Sequence, residues 1–110
     1  MQQLHLGDNL EYMKTMSDDS VDLIFTSPPY NRKRNDKYND YDDRIDEMIR
    51  VSSGLVFVNI QKNYYNKRDV FRLMGHYHKE LAEVFVWEKS NPTPSSQGAI
   101  TNAYEYIFAF

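Results

Sequence analysis

The sequence predicts an α/β layer fold. Short apolar runs of strand type alternate along the chain with segments whose apolar residues recur at helical spacing. The breaks between them carry Gly, Pro or clusters of Ser and Asp, and no internal repeat interrupts the alternation. At 110 residues the chain fits one small domain, 1–110. A domain of this size buries roughly two-thirds of its unfolded surface, so its core is modest.

Leu4-His5-Leu6 is a short strand candidate ending at Gly7. Asp8 then caps a helix, with Glu11 three residues on to complete a capping-box pair. Leu10, Met13 and Met16 form that helix's apolar stripe. After the turn Ser17-Asp18-Asp19-Ser20, the segment Val21 to Thr26 contains the run Leu23-Ile24-Phe25 and reads as a strand buried on both faces, as parallel strands are. Pro28-Pro29 stops it, because neither residue has an N–H to give to a ladder. A polar loop runs to about Tyr41. Asp42 caps a second helix, whose Ile45, Met48 and Ile49 recur at helical spacing, and Gly54 breaks it. Leu55 to Ile60 is the most strongly β-patterned segment. Asn66 caps a third helix with Val70, Phe71 and Met74 as its core stripe and Gly75 near its end. Leu81 to Trp87 reads as a strand with Trp87 in the core. Ser90 to Gln97, with its two prolines, reads as a loop, and Tyr104 to Phe110 is a final, core-facing strand. The expected tally is five strands and three helices, with the look of part of a larger sheet.

Ser27-Pro28-Pro29-Tyr30 is the constellation suited to chemistry. It follows a buried strand of parallel type, and open α/β sheets bind ligands beyond the carboxyl ends of such strands. Two prolines fix φ twice over and leave the loop little entropy to lose. They also withhold N–H donors, so nearby carbonyls can face an incoming donor. Ser27 adds a hydroxyl acceptor, and Tyr30 a flat aromatic face. Such a rigid acceptor cluster beside a stacking surface suits an exocyclic amino group on a planar heterocycle.

Composition sets bounds. The chain has nine Tyr, six Phe and no Cys, which removes disulfides and thiolate metal sites. His76 and His78, two apart on a predicted helix, do not share a face, and with His5 in a strand they make no metal site. The first residues lack the pattern of a secretory leader, and no stretch is apolar enough to span a bilayer, so a cytoplasmic protein is expected. The net charge of −3 argues against strong phosphate binding by the chain as a whole. Locally, Arg32, Lys33, Arg34 and Lys37 follow the prolines, and Asp40, Asp42, Asp43, Asp46 and Glu47 follow these. This is either a solvated face or a phosphate-contacting patch.

The stretch Asp22-Leu23-Ile24-Phe25-Thr26-Ser27-Pro28-Pro29-Tyr30-Asn31 resembles the catalytic motif of the DNA amino-methyltransferases, the cytosine-N4 and adenine-N6 enzymes. Leu6-Gly7-Asp8-Asn9 resembles the segment before that motif, and Trp87-Glu88-Lys89-Ser90-Asn91-Pro92, Pro94-Ser95-Ser96 and Thr101 to Phe108 resemble the segments after it, in the family's order. The resemblance implies a partial Rossmann-like sheet with flanking helices, S-adenosylmethionine as cofactor and DNA as partner. It implies that the target base is swung out of the duplex, that Ser27 and the Pro28 carbonyl accept from its amino group, and that Tyr30 stacks on its ring. It further suggests base-pocket contacts at Asn91, Ser95 and Ser96; by placement, Asp8 near the sheet's carboxyl edge is a candidate cofactor contact, and Asn31, Arg32, Lys33 and Arg34 after the prolines are candidate DNA contacts. Ser in place of Asp at the motif's first position leans toward cytosine-N4, with adenine-N6 left open.

The sequence departs from the family in one respect. A complete enzyme carries a Phe-x-Gly-x-Gly cradle and an acidic ribose contact, whereas Gly7, Gly54, Gly75 and Gly98 include no close pair. The chain thus reads as the catalytic, target-base half of such an enzyme, a fragment or split form inactive in isolation. Its motif-bearing strand is then an exposed apolar edge that invites another copy or a complementary cofactor-binding half. The rival readings are a non-catalytic nucleic-acid- or partner-binding module derived from the fold, and a methyltransferase of RNA or protein amides.

Overall fold

A computed structural model describes residues 2–30, 39–63, 65–93 and 102–110, with side chains described for all of these except 90–93, 102 and 103. The elements run α1 (Asn9–Lys14), β1 (Ile24–Thr26), α2 (Tyr41–Val51), β2 (Val56–Ile60), α3 (Lys67–His76), β3 (Glu83–Thr93) and β4 (Asn102–Ala109). They form one sheet of order β1-β2-β4-β3. β1 lies parallel to β2, and α2 makes the crossover that a parallel pair requires. β4 is antiparallel to both β2 and β3.

One face of this mixed sheet carries the core. Val56, Val58 and Ile60 alternate along β2, and with Phe108 of β4 they pack against Ile45, Met48 and Val51 of α2 and Val70 and Leu73 of α3. The opposite face is open over the outer strands β1 and β3. Phe25 is 62% exposed and Trp87 50% exposed, and Phe25 meets Phe57 at a ring-centroid distance of 6.2 Å. The expectation that Leu23-Ile24-Phe25 is buried on both faces is therefore corrected, as is that of a core Trp87. Both fail for one reason: the described helices cover a single face.

Several boundaries also differ. Leu4 and Leu6 are fully exposed and outside any strand, since among the described residues no neighbouring strand offers them hydrogen bonds. Val21 keeps only an isolated bridge to Ser52. Asp8 caps α1, accepting from the Leu10 N–H at 2.8 Å, whereas the Glu11 side chain reaches Lys14 at 3.3 Å. α2 starts two residues earlier than a cap at Asp42 implies. Asp40 occupies its cap position but bonds Arg44, and Asp42 turns to Arg72 at 3.0 Å. In α3 the buried positions are Val70 and Leu73, while Phe71 is half exposed. The third helix thus sits one step around its axis from the phase that Phe71 suggests.

β3 continues through Pro92 to Thr93, where a loop is expected from Ser90. An edge strand tolerates proline, and the register with β4 is irregular between Glu88 and Thr93. Gly54 is needed for close approach: a Cβ there would lie 2.4 Å from the Asp22 carbonyl oxygen. Among the described residues no helix is long and apolar enough to cross a membrane.

Candidate active site

Ser27 follows the last residue of β1 and sits beside the end of β2. Its hydroxyl lies 3.2 Å from Oδ1 of Asn59, and Nδ2 of Asn59 donates to the Tyr106 carbonyl at 3.1 Å. Ser27 and Pro29 are exposed, and Pro28 is half-buried. Tyr30 turns the chain inward. It is 2% exposed, its ring lies against that of Tyr41 at a centroid distance of 4.0 Å, and its hydroxyl donates to the Asp69 carbonyl at 3.0 Å. Burial, with Asp69 as second cause, pushes that hydroxyl far above the usual tyrosine range.

Two further side chains pin the loop. Asn66, fully buried, donates from Nδ2 to the Tyr30 carbonyl at 3.3 Å and to the Gln61 carbonyl at 2.8 Å. Its Oδ1 accepts from the Asn63 N–H at 2.7 Å. Asn66 stands at the cap position of α3 as expected, but its side chain serves these neighbours rather than the helix N–H groups. On the other side the Tyr41 hydroxyl donates to the Pro29 carbonyl. The Pro29 carbonyl is therefore engaged within the protein, which narrows the expectation that carbonyls near the prolines can face an incoming donor.

A pocket of about 440 Å³ opens between this loop and the starts of α1 and α2, a size common for small-molecule sites. Ser27, Pro28, Pro29 and Tyr30 line one wall, Asp8 and Arg44 the other, and Val58 and Ile60 of β2 contribute apolar surface. Arg44 bridges the acidic wall, at 2.9 Å from Asp8 and 2.7 Å from Asp40, and also bonds Asn9. Its guanidinium holds both carboxyls below the usual carboxylate range. Among the described residues no group of three or more His, Cys, Asp and Glu could hold a metal ion.

The fold thus brings Ser27, Pro28, Pro29, Tyr30 and Asp8 to one pocket, though they come from both sides of α1. Asn91 falls within β3, remote in sequence from this cluster, and its side chain is not described. Asn31, Arg32, Lys33, Arg34, Ser95 and Ser96 lie outside the described residues. Sequence reasoning missed Asn59, Tyr41, Arg44 and Asn66 as site residues. Asn59 carried a usable signal: a polar side chain in the otherwise apolar run Leu55 to Ile60 must find a buried partner.

With this geometry in hand, comparison with known proteins is specific. A family model described as DNA methylase, for N6 and N4 enzymes, matches residues 21–110. The Type II methyltransferase M.MwoI of Methanothermobacter wolfeii is 29% identical over 94% of this chain and 20% of its own length. M.SfiI of Streptomyces fimbriatus is 28% identical over 59% of this chain and 19% of its own. Among solved structures, the cytosine-N4-specific PvuII DNA methyltransferase superposes with a TM-score of 0.71 at 21% identity, over 96% of this chain and 47% of that one. A putative DNA modification methylase from Thermus thermophilus, complexed with S-adenosyl-L-methionine, gives 0.69 at 23% identity, over 99% and 52%. At such identities the structural likeness establishes the fold, a Rossmann-like mixed sheet with flanking helices. The chain spans about a fifth of the length of these curated relatives and about half of these solved structures.

Proposed function

This chain belongs to the N6/N4 DNA methylase family, and we propose that it forms the target-base side of an active site that methylates an exocyclic amino group in DNA, cytosine N4 or adenine N6. The observation that carries this reading is the meeting of Ser27-Pro28-Pro29-Tyr30 with Asp8 across one pocket. Ser27 presents an exposed hydroxyl at the pocket's rim. With the Pro29 carbonyl engaged by Tyr41, the Pro28 carbonyl is the proline acceptor left to the incoming amino group. Two acceptors at that nitrogen draw it from planar toward tetrahedral and direct its lone pair. Tyr30 lines the pocket but is almost wholly covered against Tyr41, so stacking on the ring of an extruded base requires it to be uncovered as the base enters. Asn31, Arg32, Lys33 and Arg34 continue directly from this loop, and with Asn91, Ser95 and Ser96 they are assigned to DNA and base contacts in the cytoplasm.

The described residues fit one end of S-adenosylmethionine. Asp8, ionised beside Arg44, offers a carboxylate to a donor group on the cofactor. The sequence holds no close pair of glycines to cradle the methionine end. When bound, the cofactor supplies an electrophilic methyl group. The 110-residue chain alone holds the base and does not transfer. The edge of β1, unpaired among the described residues, and the exposed Phe25, Phe85 and Trp87 support association with a second copy or with a polypeptide carrying the cofactor cradle.

The test is methyl transfer to duplex DNA by the chain alone and by the chain joined to a polypeptide bearing a Phe-x-Gly-x-Gly segment. Transfer is expected only from the joined form. There Ser27→Ala should lower turnover roughly a hundredfold, the scale of losing one preorganised polar contact in a transition state, with cofactor binding retained. Unchanged turnover in Ser27→Ala would remove the role assigned to Ser27.

A further inference from the structure

We infer that Asn59 is a positioning residue that makes the Ser27 hydroxyl an acceptor toward the pocket, so that the site admits an amino group and turns away a carbonyl. The inference rests on the base-holding reading of Ser27 and adds the device that sets its selectivity. It follows from counting protons. The Tyr106 carbonyl has lone pairs only, so the end of the Asn59 amide facing it at 3.1 Å must be the NH₂. The other end, Oδ1, then faces Ser27 at 3.2 Å. That oxygen carries no proton, so the proton between them belongs to Ser27 Oγ. A serine hydroxyl has one proton. With it committed to Asn59, what remains for a ligand is lone pairs.

The amide cannot reverse this arrangement at low cost. Asn59 is 7% exposed, and turning it over would set Oδ1 against the Tyr106 carbonyl, two acceptors face to face. A buried polar group left without a partner forfeits the hydrogen bond that water gave it in the unfolded chain. The orientation is thus dictated by a backbone carbonyl of β4, through Asn59, onto a side chain at the end of β1. The three strands β1, β2 and β4 are neighbours in the sheet, so the relay is as rigid as the ladder that holds it. An exocyclic amino group, as on cytosine or adenine, meets a matched acceptor. A carbonyl in the same place, as on uracil or guanine, meets lone pairs.

The experiment uses the full 110-residue chain with two probes of nearly one shape, 1-methylcytosine and 1-methyluracil, in nuclear magnetic resonance titrations that follow the amides of Thr26 and Ser27. The wild-type chain should favour the cytosine by about tenfold, the worth of one matched against one mismatched hydrogen bond. Asn59→Ala should lower the ratio by raising the affinity for 1-methyluracil, because the freed hydroxyl can now donate; general damage to the fold would lower both affinities. Ser27→Ala, at an exposed position, should lower the ratio to what the Pro28 carbonyl alone supports. A wild-type ratio of one, or a ratio left undiminished by Ser27→Ala, overturns the inference. In parallel, selectively labelled serine should show a Ser27 hydroxyl proton protected from exchange and close to the Asn59 side chain. Absence of that proton also overturns it. If the proton is present and neither probe binds, the orientation by Asn59 stands and the base-holding reading falls.

Discussion

Asn66 carries more of the site than its place at a helix start suggests. Its amide serves the carbonyls of Tyr30 and Gln61 and the N–H of Asn63, all from a fully buried position. Asn66→Ala strands those groups, and the expected cost is about 3 kcal/mol, read as a lower midpoint in denaturant unfolding; an unchanged midpoint would mean that water replaces the amide. Tyr30 offers a pH test. Its hydroxyl is kept neutral by burial, so its folded-state value is raised above the ordinary 10.0. A raised value means that the contribution is complete below pH 10.0 and fades as pH climbs toward the folded value. The stability advantage of the wild type over Tyr30→Phe, about 1 kcal/mol at neutral pH, should therefore shrink in the alkaline limb, as measured by unfolding from about pH 8 to about pH 12. At this scale Ser27, Pro28, Pro29 and Tyr30 were legible because residue type alone gives their chemistry. Asn66 and Arg44 were not, since an Asn before a helix reads equally as a cap and an Arg on a charged helix as a solvated face. Only the fold shows which carbonyl or carboxylate stands opposite.

Helix α1 spans six residues, below the length at which an isolated helix holds in water. It persists because Asp8 caps its start and Arg50, from α2, closes its end. The Arg50 guanidinium donates to the Met13 carbonyl at 2.7 Å and the Met16 carbonyl at 2.8 Å, and it pairs with Asp18 at 2.8 Å. Arg50→Ala should cost about 1–2 kcal/mol and accelerate hydrogen exchange in α1 before it does so in β2; uniform acceleration would show that the whole fold, not α1, depends on the arginine. In α3 the opposite sign is expected at Gly75, where an added Cβ meets nothing within 4 Å. Gly75→Ala should raise stability by up to about 1 kcal/mol, seen as a higher midpoint in thermal unfolding. Helices proved readable as elements because a stripe at helical spacing needs only one apolar neighbour. Their phase was less so. Phe71 fits the stripe by hydrophobicity, yet Leu73 takes the buried place, and Val70 and Tyr77 join it in the core. Pro92 hid the far end of β3, since edge placement, which makes a proline tolerable, is a property of the sheet.

For the molecule as a whole, the decisive fact is a sheet covered on one side. Leu23 and Phe25 sit in a run that reads as buried through and through, and they are exposed because the second covering layer is not among the described elements. Composition cannot reveal how many layers a sheet will have, which is why the fold class was legible and the burial was not. The open face predicts concentration-dependent association in light scattering, weakened by Phe25→Glu with secondary structure retained; a monomer at all micromolar concentrations would argue against it. β1 itself has a further consequence. It is three residues long and, among the described residues, hydrogen-bonded along one side only, and it reaches its partner through the α2 crossover, whereas β2 and β4 are each held over longer registers. Short, one-sided segments open first in native ensembles. Each opening of β1 would separate Ser27 from Asn59 and release the hydroxyl's proton to water. A polypeptide that pairs with the free edge would suppress those openings, so that docking a partner and readying the hydroxyl become a single thermodynamic event, visible as slower exchange at Ile24 to Thr26 when the partner is added.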